Sequence, residues 1–397
     1  MKTLHKFASK ATKLAASAAA FCIAVLAPTN AAALEFNELG HKATAMGGVG
    51  VAVKNNPYAI FYNPALTAAN PATRFGYGLG GSFAEKNILD VFNYNFSSLE
   101  DVPAFNKLLE ENFIHIKAQG AAAFKIPDVL PLGQLSVGFA YTAYGTANFT
   151  GYLPDNVTSI MQGDLGYVTF NMRRVDVMEI PVSYALSSET PIGQVSVGAA
   201  LKFMNVASKL SNRTLQITDN KDDIINDVKD TLTGSGATRD TNVGLDLGVV
   251  YSPIDFSGLS VALSAKNINA PKFKFKENGE LKIKPQARLG AAWELGEWVT
   301  IAGDIDLTSN ELVSASDAAK VQKSQKMGLG AAFDMMFFGV RAGVAKDLKQ
   351  DNGAILSLGL GFGFLDLGAA VATKKSKVEG TSYPRYFALT LGGGFSF

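Results

Sequence analysis

The chain has 397 residues, is 47% hydrophobic, and sets 36 Lys and Arg against 35 Asp and Glu for a net charge of +1. That balance supplies neither the basic surface of a nucleic-acid binder nor the acidic excess of a disordered tail. One cysteine and three histidines (His5, His41, His115) are too few for a Cys/His zinc site or a thioredoxin-type redox pair, so neither metal nor cofactor is expected.

Residues 1–33 read as a secretory signal peptide. Lys2, Lys6, Lys10 and Lys13 form a positive start, Leu14 to Leu26 is apolar, and Pro28 to Ala33 offers small residues for cleavage after Ala33. Phe21 before Cys22 argues against a lipoprotein, because a small residue is needed there. Cleavage removes four lysines and no acids, which takes the charge to −3. It also removes Cys22, so the exported chain has no disulfide to hold it.

Residues 34–74 do not alternate like a membrane strand. Beyond them no stretch is apolar enough for a helical span, and the chain alternates with period two. Ile114, Ile116, Ala118, Gly120, Ala122, Phe124 and Ile126 share one face, and His115, Lys117, Gln119 and Lys125 lie on the other. Val243, Leu245, Leu247, Val249 and Tyr251 repeat the pattern.

Such patterns predict strands near 75–84, 113–126, 133–149, 177–188, 193–209, 239–253, 258–269, 285–295, 298–308, 323–334, 337–348, 353–363, 364–375 and 385–397. That count is even, and short connections (127–132, 189–192, 254–257, 296–297, 335–336, 363–364) alternate with long ones (85–112, 150–176, 210–238, 270–284, 309–322). Both features belong to outer-membrane barrels, with short turns in the periplasm and long loops outside. The phrase Pro131 to Gly138 recurs as Pro191 to Gly198, each copy opening a strand after a short turn. A soluble β-sandwich alternates as well and is the competing fold. Within the long loops, 220–233 and Leu99 to Asn112 have the spacing of short amphipathic helices, suited to collecting hydrophobic ligand or to packing on the barrel rim.

The chain ends Thr390-Leu391-Gly392-Gly393-Gly394-Phe395-Ser396-Phe397. Gly392, Phe395 and the terminal Phe397 resemble the sorting signal read by the outer-membrane barrel insertion machinery, which is therefore an expected partner. Phe387, Leu389, Leu391, Phe395 and Phe397 form one row facing outer-membrane lipid.

Met46-Gly47-Gly48-Val49-Gly50-Val51-Ala52-Val53 and the later Asn63-Pro64-Ala65 resemble the opening of the FadL-like family of long-chain fatty acid transporters (OmpP1). Asp240 to Tyr251, and Pro285 to Gly290 running to Thr308, are more similar to a related group of conjugal transfer TraF-like barrels. A thioredoxin-like protein of the same name is excluded by the missing cysteines. The resemblance implies an all-β, 14-stranded antiparallel transmembrane β-barrel in a Gram-negative outer membrane. It implies a signal peptide at 1–33, an inward-folded hatch at 34–74 and a barrel at 75–397.

In that setting Gly47, Gly48 and Gly50 permit close backbone packing on the wall, and Asn63-Pro64 marks a fixed turn. A phosphate loop is the competing account of the glycines, but no Lys-Ser/Thr follows them. The family function is passive, hatch-gated uptake of hydrophobic small molecules such as fatty acids. The alternative is a structural component of a conjugal transfer apparatus without transport of its own.

Strand parity points Gln286 and Arg288 inward. A turn at 295–297 sets Asp304 opposite Arg288 and Asp306 near Gln286, and Asp246 falls within about one pair of Lys266. These charge pairs read as supports for wall and plug rather than as a metal site. An outer-membrane lipase or protease would need a nucleophile and base, for which His41 and His115 are the available imidazoles; plain polar wall residues are the competing account. Pro181 lies inside the fourth strand and lacks an N–H, and Gly145 lies on the third. Together they predict a break in the ladder, either a bulge that adjusts curvature or a lateral opening like that of FadL-like barrels.

Overall fold

The computed structural model describes residues 34–397 except 71, 73, 93, 95–98, 131–132, 157–160, 216–220, 277–278, 317–320, 336, 379–380 and 397. The expected signal peptide and the terminal Phe397 therefore lie outside the described residues.

The described residues form a closed barrel of fourteen strands, each antiparallel to its neighbours. Its first strands are β1 (Arg74–Lys86), β2 (Phe113–Leu130), β3 (Gly133–Tyr152), β4 (Tyr167–Thr190), β5 (Gly193–Thr214), β6 (Thr238–Pro253) and β7 (Leu259–Lys266). A hairpin of β8 (Lys272–Phe275) and β9 (Gly279–Lys282) precedes β10 (Gln286–Leu295) and β11 (Val299–Asp306). Two-residue strands β12 (Asn310–Glu311) and β13 (Lys323–Ser324) lead to β14 (Lys326–Asp334), β15 (Phe338–Asp347), β16 (Ala354–Phe362) and β17 (Leu365–Ala372). A last hairpin, β18 (Lys375–Val378) and β19 (Thr381–Pro384), precedes β20 (Tyr386–Ser396), which closes on β1. Arg74 faces Ser396, so the chain enters and leaves the barrel at the end where the short turns lie.

Alternation has the consequence its physics requires. Leu79, Leu329, Leu358 and Leu389 on the outer face are each more than half exposed, whereas Ser264, Ser357, Thr390 and Arg288 on the inner face are buried. A continuous exposed apolar belt around a closed barrel is stable in lipid and not in water, and a sandwich would have buried it.

The wall is uneven in height. β3, β4 and β5 run 20, 24 and 22 residues, whereas β16 and β17 run 9 and 8. β4 begins at Tyr167 rather than near 177, so the end of the expected loop 150–176 is strand, paired with both neighbours from Thr169 onward. Its alternation is hidden because helices cover the outer face there. α4 (Ile88–Phe92) and α5 (Val102–Glu110) pack Ile88, Phe105 and Leu109 on Phe149 and Phe170, and α6 (Lys221–Thr233) lies against β4 and β5. Both helical expectations for the loops are met. The expected loop 270–284 is the β8–β9 hairpin, whose Phe273, Phe275 and Leu281 cover Val175, Val177, Met204 and Val206 from the inside.

Candidate functional site

The lumen is occupied by the chain's own N-terminal segment. Three short helices, α1 (His41–Ala45), α2 (Ala59–Tyr62) and α3 (Leu66–Ala69), lie along it. α1 packs on β15, β16, β17 and β20, and α3 packs on β3 to β6, so the segment spans opposite walls. Phe36, Leu39, Tyr58 and Tyr62 are almost wholly buried, an apolar core that a water-filled pore could not provide.

The glycine motif sits where the segment meets the wall. Gly47 has φ +73°, and a Cβ there would lie 2.7 Å from Val344 O and 2.9 Å from Leu329 O. Backbone cannot yield to that contact, and L side chains avoid that φ, so Gly47 is dictated twice. Side chains at Gly48 and Gly50 would instead strike Glu38 and Tyr62 within the segment. Sequence reasoning missed the matching wall glycines: Gly328, Gly330 and Gly343 face the backbone of Met46 and Gly47, and Gly198 and Gly248 face Asn63 to Ala65. Their signal was present as glycine at inward parity. Asn63 is fully buried; its Oδ1 accepts from Ala65 N (3.0 Å), and its Nδ2 donates to Val51 O (3.1 Å) and to Val249 O on β6 (3.2 Å). The turn before Pro64 is thus also a bolt into the wall.

Charged side chains supply the remaining pins, and here one expected pair is corrected, while Asp246 does fall opposite Lys266, one rung beyond Leu247↔Ala265. Arg288 faces Asp306 rather than Asp304 in the ladder and binds it at 2.6 Å. The β10–β11 turn is centred one residue later than expected, which moves every rung by two. Asp304 instead accepts from Gly50 N (2.7 Å) and Val51 N (3.1 Å), while Arg288 donates to Gly48 O (3.0 Å) and stacks over Phe36. Asp246 pairs with Lys202 of β5 at 3.0 Å, a partner the sequence reading missed, and Lys266 donates to Phe61 O at 3.0 Å. All four expected residues do line the lumen, yet each holds the segment or a different partner.

Two further clusters clamp the segment at its two levels. Toward the long loops, Glu35 pairs with Lys117 (2.6 Å) and Glu38 with Lys326 (3.2 Å). Burial alone would raise both carboxyls, but Lys117 and Lys326 beside Glu35, and Lys326 and Arg288 beside Glu38, hold them below the usual carboxylate range. Toward the short turns, His41 binds Asp366 (2.9 Å), Lys42 binds Asp334 (2.8 Å), and Arg341 joins both acids. Burial lowers the His41 pKa, and Asp366 only partly offsets it. His115 lies at the lumen wall, as parity requires, in a cavity of about 60 Å³ also lined by Leu34, Tyr144, Val313, Ile355 and Tyr386. That space holds a few waters and no extended ligand. Among the described residues no group of three His, Cys, Asp or Glu could hold a metal.

The wall does break at Pro181, but its partner is not Gly145. β3–β4 pairing runs to Val137↔Val182 and resumes at Ala140↔Glu179 with the same register, skipping Gly138, Phe139, Ile180 and Pro181. Gly145 pairs normally with Arg174. The β5 side of Pro181 is continuous, so the missing donor falls toward β3. A Cβ on Gly138 would meet Phe61, Pro181 and Ile60 at 2.8, 3.1 and 3.3 Å, which places the segment's apolar side chains directly behind the gap.

A closed fourteen-stranded barrel with its N-terminal segment folded into the lumen defines a FadL-like barrel. The family model described as "F plasmid transfer operon, TraF, protein" matches residues 60–306, and the chain belongs to that family. Solved structures of similar fold include the toluene transporter TbuX of Ralstonia pickettii, at 14% identity over 91% of this chain and 98% of that one, TM-score 0.50. A TodX monoaromatic hydrocarbon channel mutant matches at 13% identity over 92% and 100%, TM-score 0.54. A Pseudomonas aeruginosa FadL homologue matches at 11% over 93% and 100%, TM-score 0.51. No curated protein sequence matches the chain.

Proposed function

We propose that this protein is a passive outer-membrane channel for hydrophobic small molecules, with residues 34–74 as its hatch and no enzymatic activity. The observation that carries the proposal is the unpaired stretch of wall at Gly138 and Pro181, backed from inside by Ile60 and Phe61. Apolar cargo gains by leaving a lumen sideways into lipid, since that route avoids water. In the closed arrangement the segment blocks both the lumen and that exit. The pins around it are largely buried ion pairs, whose desolvation cost offsets much of their attraction. They fix one docked orientation at modest net free energy, as a part that must move requires. Solved transporters and channels of the same fold support the proposal.

A structural role in a transfer apparatus is the second reading, favoured by the family description and by the tall, helix-covered wall of β3 to β5. It needs no lateral gap. Deleting 34–70 separates them: a hatch-gated channel should still fold as a heat-modifiable barrel and should gain a large ion conductance in planar bilayers. Conductance as low as that of the intact protein sinks the hatch.

A further inference from the structure

The outer face of the tall wall carries a feature that transport through the lumen does not use. Adjacent arginines on β4 point opposite ways: Arg173 reaches inward to Ser314 O (3.4 Å), and Arg174 outward, donating to Leu232 O of α6. Arg213 of β5 binds Asp227 of α6 at 2.8 Å. Ala147, Met172 and Ala207, outward by parity, are nevertheless buried. The amphipathic α6 is therefore strapped to the outside of the barrel. Two rungs below Ala207 the exposed apolar belt begins with Phe203 (49% exposed), Val243 and Leu201. A helix laid along a barrel just above its apolar belt lies at headgroup depth.

Between helix and belt sits a basic patch. Lys209 faces Arg174 across the β4–β5 ladder, and Arg239 faces Ala207 across β5–β6. Arg174 is neutralised by Asp176 at 2.8 Å. Lys209 and Arg239 have no acidic partner among the described residues. Lys209 and Arg239 are outward-facing diagonal neighbours on adjacent strands, and an anion between them offsets their repulsion. The turn after α6, with Gly234 and Gly236 at φ +72° and +71°, folds over this spot and brings Gly236 against Lys209 Nζ.

We propose that this patch binds the phosphorylated headgroup of an outer-leaflet lipid. Lys209 and Arg239, with Arg174 beside them, contact phosphate, and Phe203, Leu201 and Val243 contact the acyl chains. Free inorganic phosphate would match the cations but not the apolar row beneath them. The inference rests on the membrane placement proposed above.

The test compares the full-length exported protein with a Lys209→Gln, Arg239→Gln double variant by native mass spectrometry in detergent, titrated with diphosphorylated lipid A and with an uncharged glycolipid. Each cation lost near a lipid surface weakens binding about fivefold, so lipid A should bind the double variant about 30-fold more weakly, with the uncharged lipid unaffected. A control variant, Lys349→Gln with Lys375→Gln, removes the same charge from other exposed positions and should bind as the parent does. Equal lipid A binding by parent and double variant overturns the site, as does equal loss in the control. If millimolar inorganic phosphate displaces lipid A completely, the acyl row contributes nothing and the lipid assignment fails. A parent that retains no lipid of either kind refutes the membrane placement instead.

Discussion

Arg288 is the residue on which the lumen most depends. It is 2% exposed, bound to Asp306, and donates to the segment at Gly48. Arg288→Ala leaves Asp306 buried without its counter-charge, a change that costs about 3–5 kcal/mol. The folded-to-unfolded midpoint in urea, followed by heat-modifiable mobility, should fall accordingly; an unchanged midpoint contradicts the pairing. Protonation tests the clamps at the same scale. His41, Glu35 and Glu38 all have depressed pKa values when the segment is docked. The docked state thus binds fewer protons than the released one, and its stability is fully present at neutral pH. It is lost first as pH falls below about 6.5 for His41, then through the usual carboxylate range near 4.5 for the two glutamates. Bilayer conductance should rise from pH 7 to pH 4, with His41→Gln removing the earlier step. Conductance flat across that interval removes the clamps from the gating account.

Among the elements, β4 carries the most specific expectation. Pro181→Val restores an N–H toward β3 and a β-branched strand former. The β3–β4 ladder should close across Gly138 and Phe139, holding or raising barrel stability while uptake of a hydrophobic substrate falls severalfold. Uptake unaffected by a continuous wall eliminates lateral exit. The elements also show which patterns were legible. All fourteen barrel strands were readable because one face of each meets lipid or solvent and the other the lumen. The upper half of β4 was not, because α5 and α6 bury its outer face and both faces become mixed. The β8–β9 hairpin was legible in principle: Lys272-Phe273-Lys274-Phe275 alternates, and the Asn-Gly dipeptide that follows is a strong hairpin signal in sequence.

For the whole molecule, closure of β20 on β1 completes the barrel, and this last strand ends in the residues expected to act as a sorting signal. Phe387, Leu389, Leu391 and Phe395 face outward as one row, and Gly392 faces the Tyr58 hydroxyl inside. Removing Phe397 should cut the fraction of heat-modifiable, membrane-inserted protein in cells several-fold while leaving refolding in detergent largely intact. Full insertion without it refutes the sorting role and leaves the barrel untouched.

Period-two alternation, strand number and the glycine and Asn-Pro motifs are local properties, and each is enforced by the chain's immediate neighbours or by the solvent on one face. They determined the barrel and the special character of residues 34–74 from sequence alone. Which charges meet was decided only in three dimensions. A one-residue displacement of the β10–β11 turn exchanged Asp304 for Asp306 opposite Arg288, and the segment's carbonyls and amides, far away in sequence, took the partners left over. The same holds for the gap in the wall. Pro181 announced a missing donor, but whether Gly145 or Gly138 stood beside it depended on strand stagger, which is set by closure of the whole ring rather than by any local pattern.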